Sequence, residues 1–213
     1  AFTGIDALTH AIEAYVSVNA YSIPDGYAEE AMERIARSLP IAWADGDNID
    51  ARADMLVGQL QAGQAFTNSS VALVHGLARP LGAQLHIPHG LANALILPYV
   101  AEFSAMAAPE KYATVARILG AADADDTTRE AADKAADGIL SLCDDLDLTG
   151  YLDDFGEVPD REEYLAVVDE MTQDAIDSGS PANNPRKPTA DEIRDLYVEI
   201  YDDALAPDSR RRS

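Results

Sequence analysis

The chain has 213 residues, with 38 Asp and Glu against 15 Lys and Arg and a formal net charge of −23. At 47% hydrophobic residues this is the composition of a folded acidic protein, not a disordered acidic tail, and so negative a surface excludes nucleic-acid and membrane partners unless cations intervene. Only Lys111, Lys134 and Lys187 are lysines, and an acidic, lysine-poor surface is what a salt-rich cytosol favours, so a halophilic source is expected.

Alanine is abundant, apolar residues recur at intervals of three and four, and period-2 strand runs are nearly absent, so the fold class is all-α. Helices are predicted at 6–17, 24–44, 51–66, 70–83, 90–106, 109–119, 128–146, 160–176 and 189–204. Pro24, Pro109 and Thr189-Ala190-Asp191-Glu192 supply starts, and Gly120, Gly150 and Gly179 supply stops. The longest apolar run, Leu91 to Val100, is interrupted by Asn93 and Pro98 and is too short to span a bilayer. No signal-peptide pattern is present. Cys143 is the only cysteine, which rules out an intrachain disulfide, fits a cytoplasmic protein, and reads as a packed residue. Gly179 to Pro188, with three prolines, reads as an ordered loop. An all-helical domain is thus expected over 1–206, followed by a flexible tail at 207–213.

Charge is divided unevenly along these elements. Residues 1–106 hold 11 acids and 4 bases, whereas 107–213 hold 27 acids and 11 bases. The Asp pairs of the second half lack the spacing of a calcium loop, so they are expected on solvated helix faces and turns.

Histidine is concentrated in the other half: all four, His10, His75, His86 and His89, fall within the first 89 residues. Asp6 and His10 stand four apart in a helix and leave it on one face. His75 lies on a later helix, and His89 follows Pro88 and precedes Gly90, which would turn the chain back. One carboxylate with three imidazoles suits Fe(II) or Zn(II), whereas Ca²⁺ and Mg²⁺ prefer oxygen shells. Spacing alone leaves other readings open: a surface ion pair for Asp6 and His10, a satisfied core histidine for His75, and a partly exposed loop residue for His86. No two of the thirteen glycines stand two apart, so there is no Gly-x-Gly phosphate loop, and a nucleotide would be held largely outside this chain.

The words around these residues narrow the choice. Thr3-Gly4-Ile5-Asp6-Ala7-Leu8-Thr9-His10, Ala62-Gly63-Gln64-Ala65-Phe66-Thr67-Asn68, His75-Gly76-Leu77-Ala78-Arg79-Pro80-Leu81-Gly82 and Ile87-Pro88-His89-Gly90-Leu91-Ala92-Asn93 closely resemble the iron-containing (group III) alcohol dehydrogenase family. The resemblance runs from Thr3 to about Phe103 and resumes at Asn184-Pro185-Arg186, Thr189 and Leu196-Tyr197.

It implies a dehydroquinate synthase-like, multi-helix metal-binding domain, the C-terminal partner of an N-terminal α/β nucleotide-binding domain that this chain does not resemble. By the same resemblance Asp6, His10, His75 and His89 are the metal ligands, for Fe(II) or Zn(II). The metal polarises the oxygen of a small-molecule alcohol or aldehyde for hydride transfer with NAD or NADP. This half alone is expected to bind metal and to be inactive, and the family also assembles as homodimers.

One position departs from the family pattern. A second histidine commonly follows the third ligand by four residues, and here Arg79 stands there. Permanently charged, it would either anchor an anionic substrate group or pair with a local acid. Phe66 and Leu77 are candidates for lining a substrate pocket, and Thr9, Glu13, Asn68 and Asn93 for orienting the ligand imidazoles. Two rival readings remain: a related lyase or glycerol phosphate dehydrogenase, against which the long match argues, and a helical metal-binding module without catalysis.

Overall fold

The three-and-four apolar spacing becomes helix along the whole chain. In the computed structural model, which describes residues 1–155 and 158–206, every regular element is helical; the expected tail at 207–213 lies outside the described residues. The α-helices are α1 (Phe2–Val16), α2 (Ser22–Ala44), α3 (Ile49–Ser69), α4 (Leu73–Leu85), α5 (His89–Ser104), α6 (Pro109–Ile118), α7 (Thr128–Asp133), α8 (Ala135–Asp145), α9 (Arg161–Asp177) and α10 (Ala190–Ile200). Short 3-10 turns lie at Ala105–Ala107, Thr149–Phe155 and Ser180–Asn183, and a π turn at Tyr201–Leu205 continues α10.

Two helices organise the core. α1 buries residues on most of its circumference, including Ile5, Leu8, Ile12 and Tyr15, and packs against α2, α3 and α5. α5 is apolar all round and buried nearly all round, the pattern of a central helix, with Leu91, Ala92, Ile96 and Leu97 almost inaccessible. The stretch His89–Ala107 is long and apolar enough to cross a bilayer by composition, a length the run Leu91 to Val100 alone does not suggest; 72% of its apolar window is buried inside the protein, so it is spent on the core.

Around this axis α2 and α3 pack closely together. Asp54 of α3 accepts from the Ser38 hydroxyl at 2.7 Å and Arg37 Nη2 at 2.6 Å, and also pairs with Arg34, which clasps the two helices. On the other side α4 packs on α5 and α9. The Tyr197 hydroxyl of α10 donates to the Leu77 carbonyl at 2.9 Å, and Tyr164 of α9 donates to the Tyr197 carbonyl at 3.0 Å.

The helix predicted at 128–146 is two. It breaks at Lys134, whose amide turns to the Ala131 carbonyl while its ammonium reaches back to Asp126 at 2.7 Å. The start at Thr189 is a complete capping box with Glu192. Cys143 is packed, and burial pushes its thiol up to about 12, so it is inert.

Candidate metal centre

The i, i+4 spacing of Asp6 and His10 places both side chains on the face of α1 that looks toward α4 and α5. α4 presents His75 near its N-terminus, and α5 presents His89 as its first residue. The α1–α5 approach is set by Gly90: a Cβ there would lie 2.2 Å from the Phe2 carbonyl oxygen and 2.6 Å from its carbon. Because those atoms are backbone, no larger residue fits without moving α1 from α5, and with it Asp6 from His89.

The four side chains meet at one carboxylate oxygen. Asp6 Oδ1 lies 3.7 Å from His10 Nε2, 3.5 Å from His75 Nε2 and 3.5 Å from His89 Nε2. The ligand atoms of Asp6, His10 and His75 all lie within 4.8 Å of one another; His89 joins through Asp6 and is the most exposed of the imidazoles, at 41% against 1% for His75. The centre is therefore closed on the His75 side and open on the His89 side.

Behind His75 stands Glu13, only 2% exposed. The His75 Nδ1–H donates to Glu13 Oε2 at 2.6 Å, and the Val74 amide donates to Glu13 Oε1 at 2.5 Å. This fixes the proton on Nδ1 and turns Nε2 toward Asp6, where it is buried without a hydrogen-bond partner. The Asn93 amide of α5 donates to Asp6 Oδ1 at 2.7 Å and lies 3.3 Å from His89 Nε2. The His10 ring is stacked between His75, with centroids 4.2 Å apart, and Phe66, at 4.3 Å.

Electrostatics match a cation site. Burial, and then positive charge on His75, push the His10 pKa down to about 4, and burial lowers that of His89, so both are neutral near pH 7 with lone pairs to give. Burial opposes a charge on His75 too, but Asp6 and Glu13 outweigh it and raise its pKa to about 9. Asp6 is held below its ordinary value, the histidines overcoming the cost of its own burial. Two carboxylates thus gather positive charge at one buried point, and a divalent ion would displace the His75 proton.

The residues fit such an ion. Donor atoms bound tetrahedrally at about 2.1 Å stand about 3.4 Å from one another, close to the observed 3.5–3.7 Å separations, and the orphaned His75 Nε2 gains a partner. Three imidazoles and one carboxylate are the donor chemistry of Fe(II) or Zn(II).

Of the other sequence candidates, Glu13, Asn93 and Phe66 lie at the centre. Thr9 instead returns its hydroxyl to the Ile5 carbonyl at 2.8 Å. Asn68 is exposed and donates to the Gln64 carbonyl, and Leu77 is core, 0% exposed. His86 caps α4 in the left-handed region, exposed, as a loop residue. Arg79 is exposed one turn beyond His75, close enough for its charge to depress His89, and donates from Nη1 to the Ser180 hydroxyl at 3.2 Å. Ser180 had no signal in the sequence: it lies 101 residues from Arg79, and only the packing of the Ser180–Asn183 turn on α4 joins them.

Comparison with known proteins places these features. The C-terminal model of the Fe-containing alcohol dehydrogenase family matches residues 1–201. The 1,3-propanediol dehydrogenase of Klebsiella pneumoniae is 39% identical over 201 residues, which are 94% of this chain and 50% of that protein. The lactaldehyde reductase of Escherichia coli (strain K12) is 39% identical over 197 residues, 92% of this chain and 50% of that protein. A crystal structure of 1,3-propanediol oxidoreductase superposes with a TM-score of 0.86 at 38% identity, covering 94% of this chain and 51% of that one. The chain spans about half the length of the relatives it matches.

Proposed function

Because the chain belongs to the iron-containing alcohol dehydrogenase family, whose C-terminal part it matches, we propose that it is the metal-binding half of an NAD(P)-dependent alcohol dehydrogenase or aldehyde reductase. Asp6, His10, His75 and His89 hold Fe(II) or Zn(II) in this reading. The observation that carries it is the meeting of three imidazole Nε2 atoms around one oxygen of Asp6, with Glu13 setting the tautomer of the buried one.

When bound, the ion supplies Lewis acidity toward the oxygen of a small alcohol or aldehyde. The chain's own residues do the rest. Glu13 and Asn93 hold the His75 ring and the Asp6 carboxylate in place before any ligand arrives. Phe66 stacks on the flank of His10. The exposed edge at His89 is left for substrate. Nicotinamide, NAD or NADP, is held largely by the half of the protein that the relatives possess and this chain does not match; positioning its reactive carbon against the substrate is that half's contribution. The metal-binding domain spans 1–206, and the enzyme is cytoplasmic and acts as a homodimer on small molecules.

The test uses the intact enzyme that carries this chain. Dialysis against a chelator is expected to abolish alcohol-dependent NAD(P) reduction, and Fe(II) or Zn(II) to restore it, while His10→Ala and His75→Ala lose bound metal. Stoichiometric metal in both variants would refute the ligand set. Stoichiometric metal in the wild type without turnover of any alcohol or aldehyde would leave a binding module in place of the enzyme.

A further inference from the structure

Arg34, Lys111, Lys134, Arg161, Arg186 and Arg194 lie against carboxylates, whereas Arg79, like Arg52 and Arg117, has no carboxylate partner among the described residues. The one hydrogen bond of Arg79 there goes to a neutral hydroxyl, Ser180 Oγ, at 3.2 Å. One bond to one nitrogen leaves most of a guanidinium's five donors free.

Its place gives that freedom a use. On α4, His75 and Arg79 are one turn apart, so their Cβ atoms are about 5–6 Å apart on one face, and a helical side chain leans back toward the preceding turn, here that of His75. The guanidinium is also anchored. The Ser180–Asn183 turn sits against α4 at Gly76, where a Cβ would be 3.0 Å from the Pro181 ring. Gly76 lets this turn approach, and the turn brings the buried Ser180, 6% exposed, to Arg79. A long side chain that loses much freedom on binding is thereby partly fixed in advance.

We propose that Arg79, positioned by Ser180, is an anion anchor beside the metal centre, and that the substrate is a short aldehyde or alcohol carrying a carboxylate or phosphate a few bonds from its reacting carbon. This rests on the dehydrogenase reading for the word substrate; the anion site itself does not. The planar fork of arginine matches both anions in a bidentate manner. The −23 charge of this chain repels anions at long range, and a contact cation offsets that repulsion locally, where salt screens it least.

Two arms test this in the intact, metal-loaded enzyme, with butanal and 4-oxobutanoate as a matched neutral and anionic pair. In the first, 4-oxobutanoate is titrated calorimetrically into the wild type, Arg79→Gln and Arg79→Lys without nicotinamide. Binding is expected to weaken by about 10- to 100-fold in Arg79→Gln, the scale of a lost charge-assisted pair, and by less in Arg79→Lys, which keeps the charge without the fork. In the second, the kcat/KM ratio of 4-oxobutanoate over butanal falls by a similar factor in Arg79→Gln, and Ser180→Ala raises the KM for 4-oxobutanoate more than it changes kcat. Equal binding in wild type and Arg79→Gln overturns the anchor. So does a loss confined to the KM of the nicotinamide cofactor, which would assign Arg79 to a cofactor phosphate. Loss of 4-oxobutanoate binding in Arg79→Gln, with no alcohol or aldehyde turned over by the wild type, would sustain the anion site and refute the dehydrogenase.

Discussion

Glu13 has exchanged water for two donors, the Val74 amide and the His75 ring, at 2% exposure. The first bond caps the N-terminus of α4, where a negative charge faces the free amides of the opening turn. The second sets the tautomer that leaves His75 Nε2 free. One side chain therefore couples the folding of α4 to the shape of the metal centre. Glu13→Gln separates the two roles, because an amide oxygen still accepts from Val74 but cannot hold the ring with the strength of a carboxylate. The expected outcome is a metal affinity lower by about 10–100-fold, read by competition with a chromophoric chelator, with the melting temperature of the metal-free protein lowered much less. An unchanged affinity would reduce Glu13 to a helix cap. Glu13 is visible in the sequence only as a neighbour of His10 on the same helix. Its true partner is 62 residues away, and nothing local announces an acid that serves a distant histidine.

At the scale of elements, the centre is an agreement among three helices, and Gly90 sets its terms. A Cβ on Gly90 would fall 2.2 Å from the Phe2 carbonyl oxygen, which belongs to the opening turn of α1. Gly90→Ala must therefore push α1 from α5, at a cost of about 1–3 kcal/mol for overpacking. Metal binding should suffer beyond that, because Asp6 and His89 ride on the two helices being separated. Gly63→Ala is the control: nothing lies within 4 Å of the added methyl, and alanine favours the interior of α3 by about 0.5–1 kcal/mol. Urea melts and metal affinities of both variants check this, and equal affinities would mean that the α1–α5 approach is not what aligns the ligands. The same contact explains what could be read in advance. Nine helical segments were legible because apolar spacing is local, and Asp6 with His10 because their convergence is a property of one helix. The break at Lys134 was not, because it is a one-residue backbone turn, its amide bonding the Ala131 carbonyl, which leaves the apolar period intact. His75 and His89 could be joined to Asp6 only through the family resemblance, since a contact between Gly90 and the Phe2 backbone leaves no periodicity. Phe66 and Leu77 read alike as apolar residues near ligands, yet one stacks on His10 and the other is sealed in the core.

At the scale of the molecule, charge and chemistry occupy different stretches of chain. The four proposed ligands, Asp6, His10, His75 and His89, fall within the first 89 residues, while residues 107–213 carry 27 of the 38 acids. Much of this charge is exposed: Asp125, Asp144 and Asp145 all face solvent. Like charges at such density oppose compaction, and the opposition is relieved when the screening length falls from about 10 Å at 0.1 M salt to about 3 Å at 1 M. Stability should therefore rise with KCl well into the molar range, with each kcal/mol recovered appearing as roughly 2–4 °C in the melting temperature of a protein this size. Salt can also stabilise by exclusion from apolar surface, so the decisive comparison is with the triple variant Asp125→Asn, Asp144→Asn and Asp145→Asn. If repulsion governs, that variant melts higher than the wild type in dilute buffer and gains less from KCl, while its metal affinity is unaltered because the centre lies elsewhere. A salt response identical in the two proteins would assign the effect to exclusion, and a wild type indifferent to salt would remove the halophilic reading of the −23 charge altogether.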